Sequence, residues 1–141
     1  MQNEFDGIAV YPDLQSIPKV AAFLEEKLDA LEIPMKVAVR AQIALDEIYS
    51  NVVRYSGAEE AWISASVEAG QLVLSFEDNG VPFDPTTVGD PDIALSAEER
   101  EIGGLGIFMV RKAASSMDYA YKDNKNILTV RYSLQAAANK K

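Results

Sequence analysis

The stretch from Trp62 to Phe76 limits most what this chain can fold into. Ile63, Ala65 and Val67 alternate with Trp62, Ser64 and Ser66, and Leu72, Leu74 and Phe76 resume a period of two beyond Ala69-Gly70. Alternation at that period sends successive side chains to opposite faces of a strand, and a small-residue pair between two such runs predicts a hairpin. A hairpin is an antiparallel unit. Here it follows a helical pattern, so the chain lacks the strand-helix-strand rhythm of a Rossmann sheet.

The remaining patterns fit around that hairpin. Phe5 to Tyr11 reads as a short edge strand stopped by Pro12. Ser16 can cap a helix that tolerates Pro18 in its first turn, with Val20, Phe23, Leu24, Leu28 and Leu31 as its apolar stripe. Pro34 ends that helix and can start a second, running to about Tyr55 with Ser56-Gly57 as its exit; Val37, Ala41, Ala44, Leu45, Ile48 and Val52 form its buried face. From Asn79 to Gly103 the pattern dissolves into Gly, Pro, Thr and charges, a connection long enough to be a lid. Ile107 to Ala114 reads as a third helix. Met117–Tyr121 and Ile127–Leu134 read as a closing hairpin turned by Asp123-Asn124-Lys125-Asn126. The expected architecture is an α/β (α+β) two-layer sandwich. One mixed, mostly antiparallel sheet carries three helices on one face, and the other face is exposed or used for association. At 141 residues the chain fits one domain, with residues 135–141 as a fraying tail.

Composition removes whole classes of chemistry. There is no cysteine and no histidine, so thiolate metal sites, disulfides and imidazole bases are out, and a general base must be a carboxylate, lysine or tyrosine. A net charge of −9 disfavours nucleic acid and anionic membranes. The acidic start, Met1 to Asp6, does not resemble a signal peptide, and Ile102–Val110 is far short of the ~20 apolar residues of a membrane span. A cytoplasmic location is expected.

Four short runs carry candidate chemistry. Glu47 and Asn51 are one helical turn apart on one side of the second helix: a carboxylate that can take a proton and an amide oxygen that can ligate Mg²⁺, or simply a solvated pair. Asp78 ends an apolar strand before Asn79-Gly80. It can accept a hydrogen bond from an exocyclic amine such as that of adenine while Gly80 lets the backbone approach a flat ring, or the three can be plain turn residues. Gly103, Gly104 and Gly106 precede a helix, where exposed N–H groups bind phosphate; a hinge is the alternative, and the absence of a following Lys-Ser or Lys-Thr excludes a P-loop. Thr129 can help Asp78 only if it points inward, which requires Leu128 and Val130 to point away from the core.

Taken together, Ala44-Leu-Asp-Glu47-Ile-Tyr-Ser-Asn51-Val-Val-Arg54, then Glu77-Asp-Asn-Gly-Val-Pro-Phe-Asp-Pro85, then Gly103-Gly-Leu-Gly-Ile-Phe-Met-Val-Arg111-Lys112 resemble the N, G1 and G2 boxes of the GHKL ATPase superfamily. Within it the chain is similar to the RsbW-like anti-sigma factor serine/threonine kinases, over roughly residues 5–134. The resemblance implies the Bergerat fold, ATP and Mg²⁺. It implies Glu47 as catalytic base, Asn51 as Mg²⁺ ligand, and Asp78 as reader of the adenine amine with Gly80 near the ring. It also implies Gly104 and Gly106, with Leu105 between them, as the phosphate-binding run, Thr129 behind the adenine, and residues 86–102 as an ATP lid. Within that lid Arg100 stands among Glu98, Glu99 and Glu101 and reads as part of a solvated charge run. Many relatives have a histidine shortly after the Asn, where this chain has Arg54-Tyr55. The implied activity is phosphoryl transfer to a STAS-type anti-sigma factor antagonist by a protein that also holds a sigma factor, commonly as a homodimer. The alternative is a non-catalytic ATP-binding module that sequesters a partner.

Overall fold

The computed structural model describes residues 7–87 and 104–134. Its elements, in chain order, are strand β1 (Gly7–Val10), helix α1 (Ser16–Ala30), helix α2 (Met35–Asn51), strands β2 (Ala61–Glu68) and β3 (Gln71–Asp78), helix α3 (Gly104–Ala113), and strands β4 (Ser116–Lys122) and β5 (Lys125–Ser133). The five strands form one sheet in the order β1-β2-β3-β5-β4. Every pairing is antiparallel, so the sheet is not mixed.

Register explains the layering. Ile63 pairs with Phe76, which pairs with Leu128; Ala65 pairs with Leu74, which pairs with Val130. All six are buried, and they share one face because cross-strand partners point the same way. Against that face lie Val20, Leu24 and Leu28 of α1, Val37, Ala41, Ala44, Leu45 and Ile48 of α2, and Ile107 and Val110 of α3, joined in a single core. The helical spacings in the sequence are therefore the spacings that meet the sheet. The opposite face carries Ser64, Ser75 and Thr129 in one cross-strand row, and Lys125 places its ammonium 4.2 Å from the Trp62 ring centroid.

Local chemistry sets the element ends. Ser16 does not cap α1: it is the helix's first residue, and the N-cap residue Gln15 makes no side-chain bond. Instead the turn before the helix is closed by the Asp13 carboxylate accepting from the Ser16 N–H at 2.9 Å and the Ser16 hydroxyl accepting from the Asp13 N–H at 3.2 Å. Two backbone donors are thus satisfied reciprocally. The Ser16 hydroxyl also lies 2.7 Å from the buried Tyr49 hydroxyl, pinning α1 to α2. At the far end of α1, Glu32 adopts φ 58° and the Ile33 N–H reaches back to Leu28 O, a Schellman stop without its usual glycine. Both hairpins turn on two residues with positive φ, Ala69-Gly70 and Asp123-Asn124. Lys125 and Asn126 therefore belong to β5, not to the turn. None of the helices among the described residues is long and apolar enough to cross a membrane.

Candidate functional site

The second helix carries Glu47 and Asn51 to its C-terminal end, where its winding changes. Residues Val52–Ser56 continue as a π-helical turn, and Gly57 ends it at φ 68°. Wide turns of this kind inside helices are frequent at functional sites. The Ser56 hydroxyl donates to Val52 O at 2.8 Å and accepts from the Ala58 N–H at 3.0 Å, which fixes the exit.

Glu47 and the glycine run meet. A Cβ placed on Gly106 would lie 1.9 Å from Glu47 Oε1 and 2.5 Å from its Cδ. The half-buried Glu47 carboxylate thus rests on the first turn of α3, in space that only a glycine leaves open. Gly104 and Leu105 form the first two positions of α3. Asn51 is half-buried one turn beyond Glu47, and its side-chain amide makes no hydrogen bond among the described residues. An amide oxygen so placed suits a hard cation that arrives with its own phosphate and water ligands. Among the described residues no group of three or more acidic side chains could hold a metal ion.

Asp78, Asn79 and Gly80 serve three separate anchorages. The Asp78 side chain turns into the helix-covered layer and is only 6% exposed. Its Oδ1 accepts from the Gly80 N–H at 2.9 Å and from Asn126 Nδ2 at 3.1 Å, whereas Oδ2 takes no hydrogen bond among the described residues. Oδ2 is not among the buried atoms left without a partner, so it keeps an opening toward solvent and can accept from an incoming amine. Asn79 points the other way, its Oδ1 accepting from the Glu59 and Glu60 N–H groups at 2.9 and 3.0 Å. Gly80 seats on α2's exit: a Cβ there would lie 2.3 Å from Ser56 O. Its glycine is accounted for by the chain's own backbone, without recourse to a bound ring. The neighbouring Val81 N–H donates to the same Ser56 oxygen at 2.9 Å.

Thr129 does not join this group. Leu128 and Val130 are 5% and 0% exposed on the core face, so Thr129 faces the opposite side of the sheet beside Ser75 and Asp118. The parity of a strand allows no other outcome. The residue that does reach Asp78 from β5 is Asn126, three positions earlier. It is 6% exposed and is held by Val81 O, the Phe83 N–H and the Tyr119 hydroxyl as well as by Asp78. Burial, with Asp84 and Asp78 nearby, pushes the Tyr119 hydroxyl above its usual pKa, so it is neutral and able to donate. Asn126 could have been found by counting back two from Leu128 in a strand of period two. Beyond Phe83, the Asp84 carboxylate accepts from the Thr86 N–H at 2.8 Å, and Arg111 of α3 donates to Thr86 O at 3.2 Å. The rest of the expected lid, Arg100 included, lies outside the described residues, as does Gly103.

The sequence profile of the histidine kinase-like ATPase domain matches residues 10–132. The chain belongs to that family. An ATP-binding role comes with membership, and the resemblance to the RsbW-like branch of the GHKL group stands. The chain is 27% identical over 99 residues to the serine-protein kinase RsbW of Listeria monocytogenes serovar 1/2a, a match covering 64% of this chain and 63% of that one. It is 32% identical over 60 residues to the serine/threonine-protein kinase BtrW of Bordetella bronchiseptica, covering 43% and 42% of the two chains. The matched region thus spans less than two thirds of either relative. A blue-light activated histidine kinase of Erythrobacter litoralis EL346 superposes with a TM-score of 0.55 at 17% identity, over 77% of this chain and 34% of that one, which is a likeness of fold.

Proposed function

We propose that this chain is an ATP-dependent serine/threonine protein kinase of a bacterial partner-switching pair. It phosphorylates a STAS-type antagonist and binds a sigma factor, as a cytoplasmic homodimer. The observation that carries the reading is the Glu47 carboxylate resting on Gly106 at the head of α3. That contact sets a proton acceptor beside the helix end whose N–H groups suit phosphate. The naming of two relatives as serine and serine/threonine kinases supports it further.

Bound ATP with Mg²⁺ supplies the phosphoryl group and the charge neutralisation that such transfer needs. Asp78 Oδ2 accepts the adenine amine and sets the nucleotide's register. The first turn of α3 holds the phosphate end. Asn51 offers its oxygen to the cation. Glu47 Oε accepts the proton of the partner's Ser or Thr hydroxyl as that oxygen forms its bond to phosphorus and the bridging P–O bond breaks.

The test is transfer of label from ATP to candidate STAS-domain proteins. Loss of a positioned general base costs about 10²–10⁴-fold in rate, so Glu47→Gln should lose transfer by that margin while still binding ATP. Transfer by Glu47→Gln at the wild-type rate would remove the assigned base. A wild type that binds a STAS partner with ATP and never phosphorylates it would leave a non-catalytic sequestering module.

A further inference from the structure

We propose that Asn126 is the positioning residue that gives this nucleotide site its preference for a 6-amino purine, by fixing which oxygen of Asp78 faces the base. The inference rests on the ATP reading above and concerns a residue that none of the box motifs contains.

The Asn126 amide is used to capacity. An asparagine side chain has two N–H donors and two acceptor lone pairs. Nδ2 donates to Asp78 Oδ1 at 3.1 Å and to Val81 O at 2.9 Å, and Oδ1 accepts from the Phe83 N–H at 2.9 Å and from the Tyr119 hydroxyl. The amide cannot be turned over, because its oxygen would then face a carboxylate and a carbonyl, and its NH₂ would face the Phe83 N–H. Its direction is thus set by two backbone groups that follow Asp78 in sequence, Val81 O and the Phe83 N–H, and by a hydroxyl on β4.

That fixed donor acts on Asp78. Two donors, the Gly80 N–H and Asn126 Nδ2, fall on the same oxygen, Oδ1. They keep the carboxylate from rotating about its terminal torsion. Oδ2 is left as a pure acceptor. An amine at purine C6 meets it with a hydrogen bond to a charged acceptor; a 6-oxo group meets it acceptor to acceptor and leaves both unpaired, which is the costly case. Without Asn126, Oδ1 keeps only the Gly80 N–H, a single bond about which the carboxylate can swing, and Oδ2 is no longer held toward the base. Discrimination then falls even where binding survives. In Asn126→Asp the donor to Oδ1 becomes a second carboxylate, which repels that oxygen and releases the Asp78 carboxylate from its fixed setting.

The experiment is calorimetric titration of the full chain with Mg²⁺-ATP and with Mg²⁺-ITP, which differ in the purine C6 substituent, on wild type, Asn126→Asp, Asn126→Ala and Tyr119→Phe, with melting curves as a record of folding. Wild type should prefer ATP by about tenfold or more, and both Asn126 variants should bring the ratio to within about threefold. Tyr119→Phe, which removes one of the four bonds, should shift the ratio the same way by less. A general loosening of the site weakens both nucleotides and leaves their ratio in place. A folded Asn126 variant that keeps the wild-type ratio overturns the proposal. If neither variant folds, an unchanged ratio in Tyr119→Phe does so. A wild type that binds both nucleotides equally also refutes it while leaving the nucleotide site intact, whereas a wild type that binds neither removes the ATP reading itself.

Discussion

Gly80→Ala separates two reasons for one glycine. A Cβ at this position lies 2.3 Å from Ser56 O, 2.7 Å from Ser56 Cβ and 2.8 Å from Ser56 C, all inside the 3.0 Å that real Cβ contacts respect. The nearest atom is backbone and cannot swing aside, so the two segments must part by about 0.7 Å. Overpacking of this kind costs about 1–3 kcal/mol. The same movement stretches the bond from the Val81 N–H to Ser56 O, now 2.9 Å. Its loss adds about 0.5–1.5 kcal/mol. A total of about 1.5–4.5 kcal/mol, at roughly 3 °C per kcal/mol for a chain of this size, lowers the melting temperature by about 5–13 °C. The assay is a thermal melt followed by circular dichroism without nucleotide. If Gly80 served only close approach to a bound base, the nucleotide-free melt would not move and only ATP affinity would suffer. A variant melting within about 2 °C of wild type would therefore refute the packing argument.

Three further outcomes follow from the same geometry. Thr129→Ala should leave ATP affinity unchanged, because the hydroxyl lies on the far face of the sheet; a tenfold loss in titration would put it back in the site. Gly106→Ala should keep most of its stability, since the clash is with the end of a flexible Glu47 side chain, yet lower phosphotransfer by about tenfold or more through a displaced base; unaltered turnover would dissociate Glu47 from this contact. Tyr132→Phe tests a buried hydroxyl, 3% exposed and with no hydrogen-bond partner among the described residues. Burial pushes Tyr132 up to about 12 from 10.0, with Arg40 pulling the other way. Because the folded state holds the proton more tightly, the associated stability is full below about pH 10 and is lost as pH rises through about 12. The Phe variant should match or exceed wild type at neutral pH by up to about 1 kcal/mol and show a shallower alkaline decline in denaturant titrations; a markedly less stable variant would reveal a partner for that hydroxyl.

The layers were legible because burial writes its period into the chain. Ile63, Ala65, Leu72, Leu74 and Phe76 could be assigned to one face before any coordinates, and all of them are buried there. Glu47, Asp78 and Gly106 were legible as residue types at meaningful places on predicted elements. What the sequence obscured was parity at a strand boundary. Asn is a turn residue by habit, so Asn126 was absorbed into a four-residue turn, although Asp123 and Asn124, at φ 56° and 63°, complete that turn alone. Extending β5 backwards by two residues turns Asn126 inward, and the same parity turns Thr129 outward. Asp13 was hidden for a related reason: its two bonds with Ser16 close the turn before α1, and neither residue stands at the N-cap position that a capping pattern points to.

The wide turn at Val52–Ser56 bears on how this chain tolerates changes in length. An α-helical residue advances the chain by about 100°. The wide turn already takes up one residue more than regular helix would, so inserting a further residue between Asn51 and Gly57 would rotate the exit by about that amount. The Ser56 carbonyl would then swing away from Gly80 and Val81, and Asp78's turn would lose its seat, although no residue that reads or transfers anything had been touched. Substitutions at the first four of these positions are comparatively forgiving, since Val52 and Val53 are half-buried and Arg54 and Tyr55 exposed, whereas Ser56 is buried and bonded on both sides. Spacing is what is fixed here: the distance in residues from Asn51 to Gly57 is a site property, not to be exceeded in any redesign that lengthens or grafts this helix.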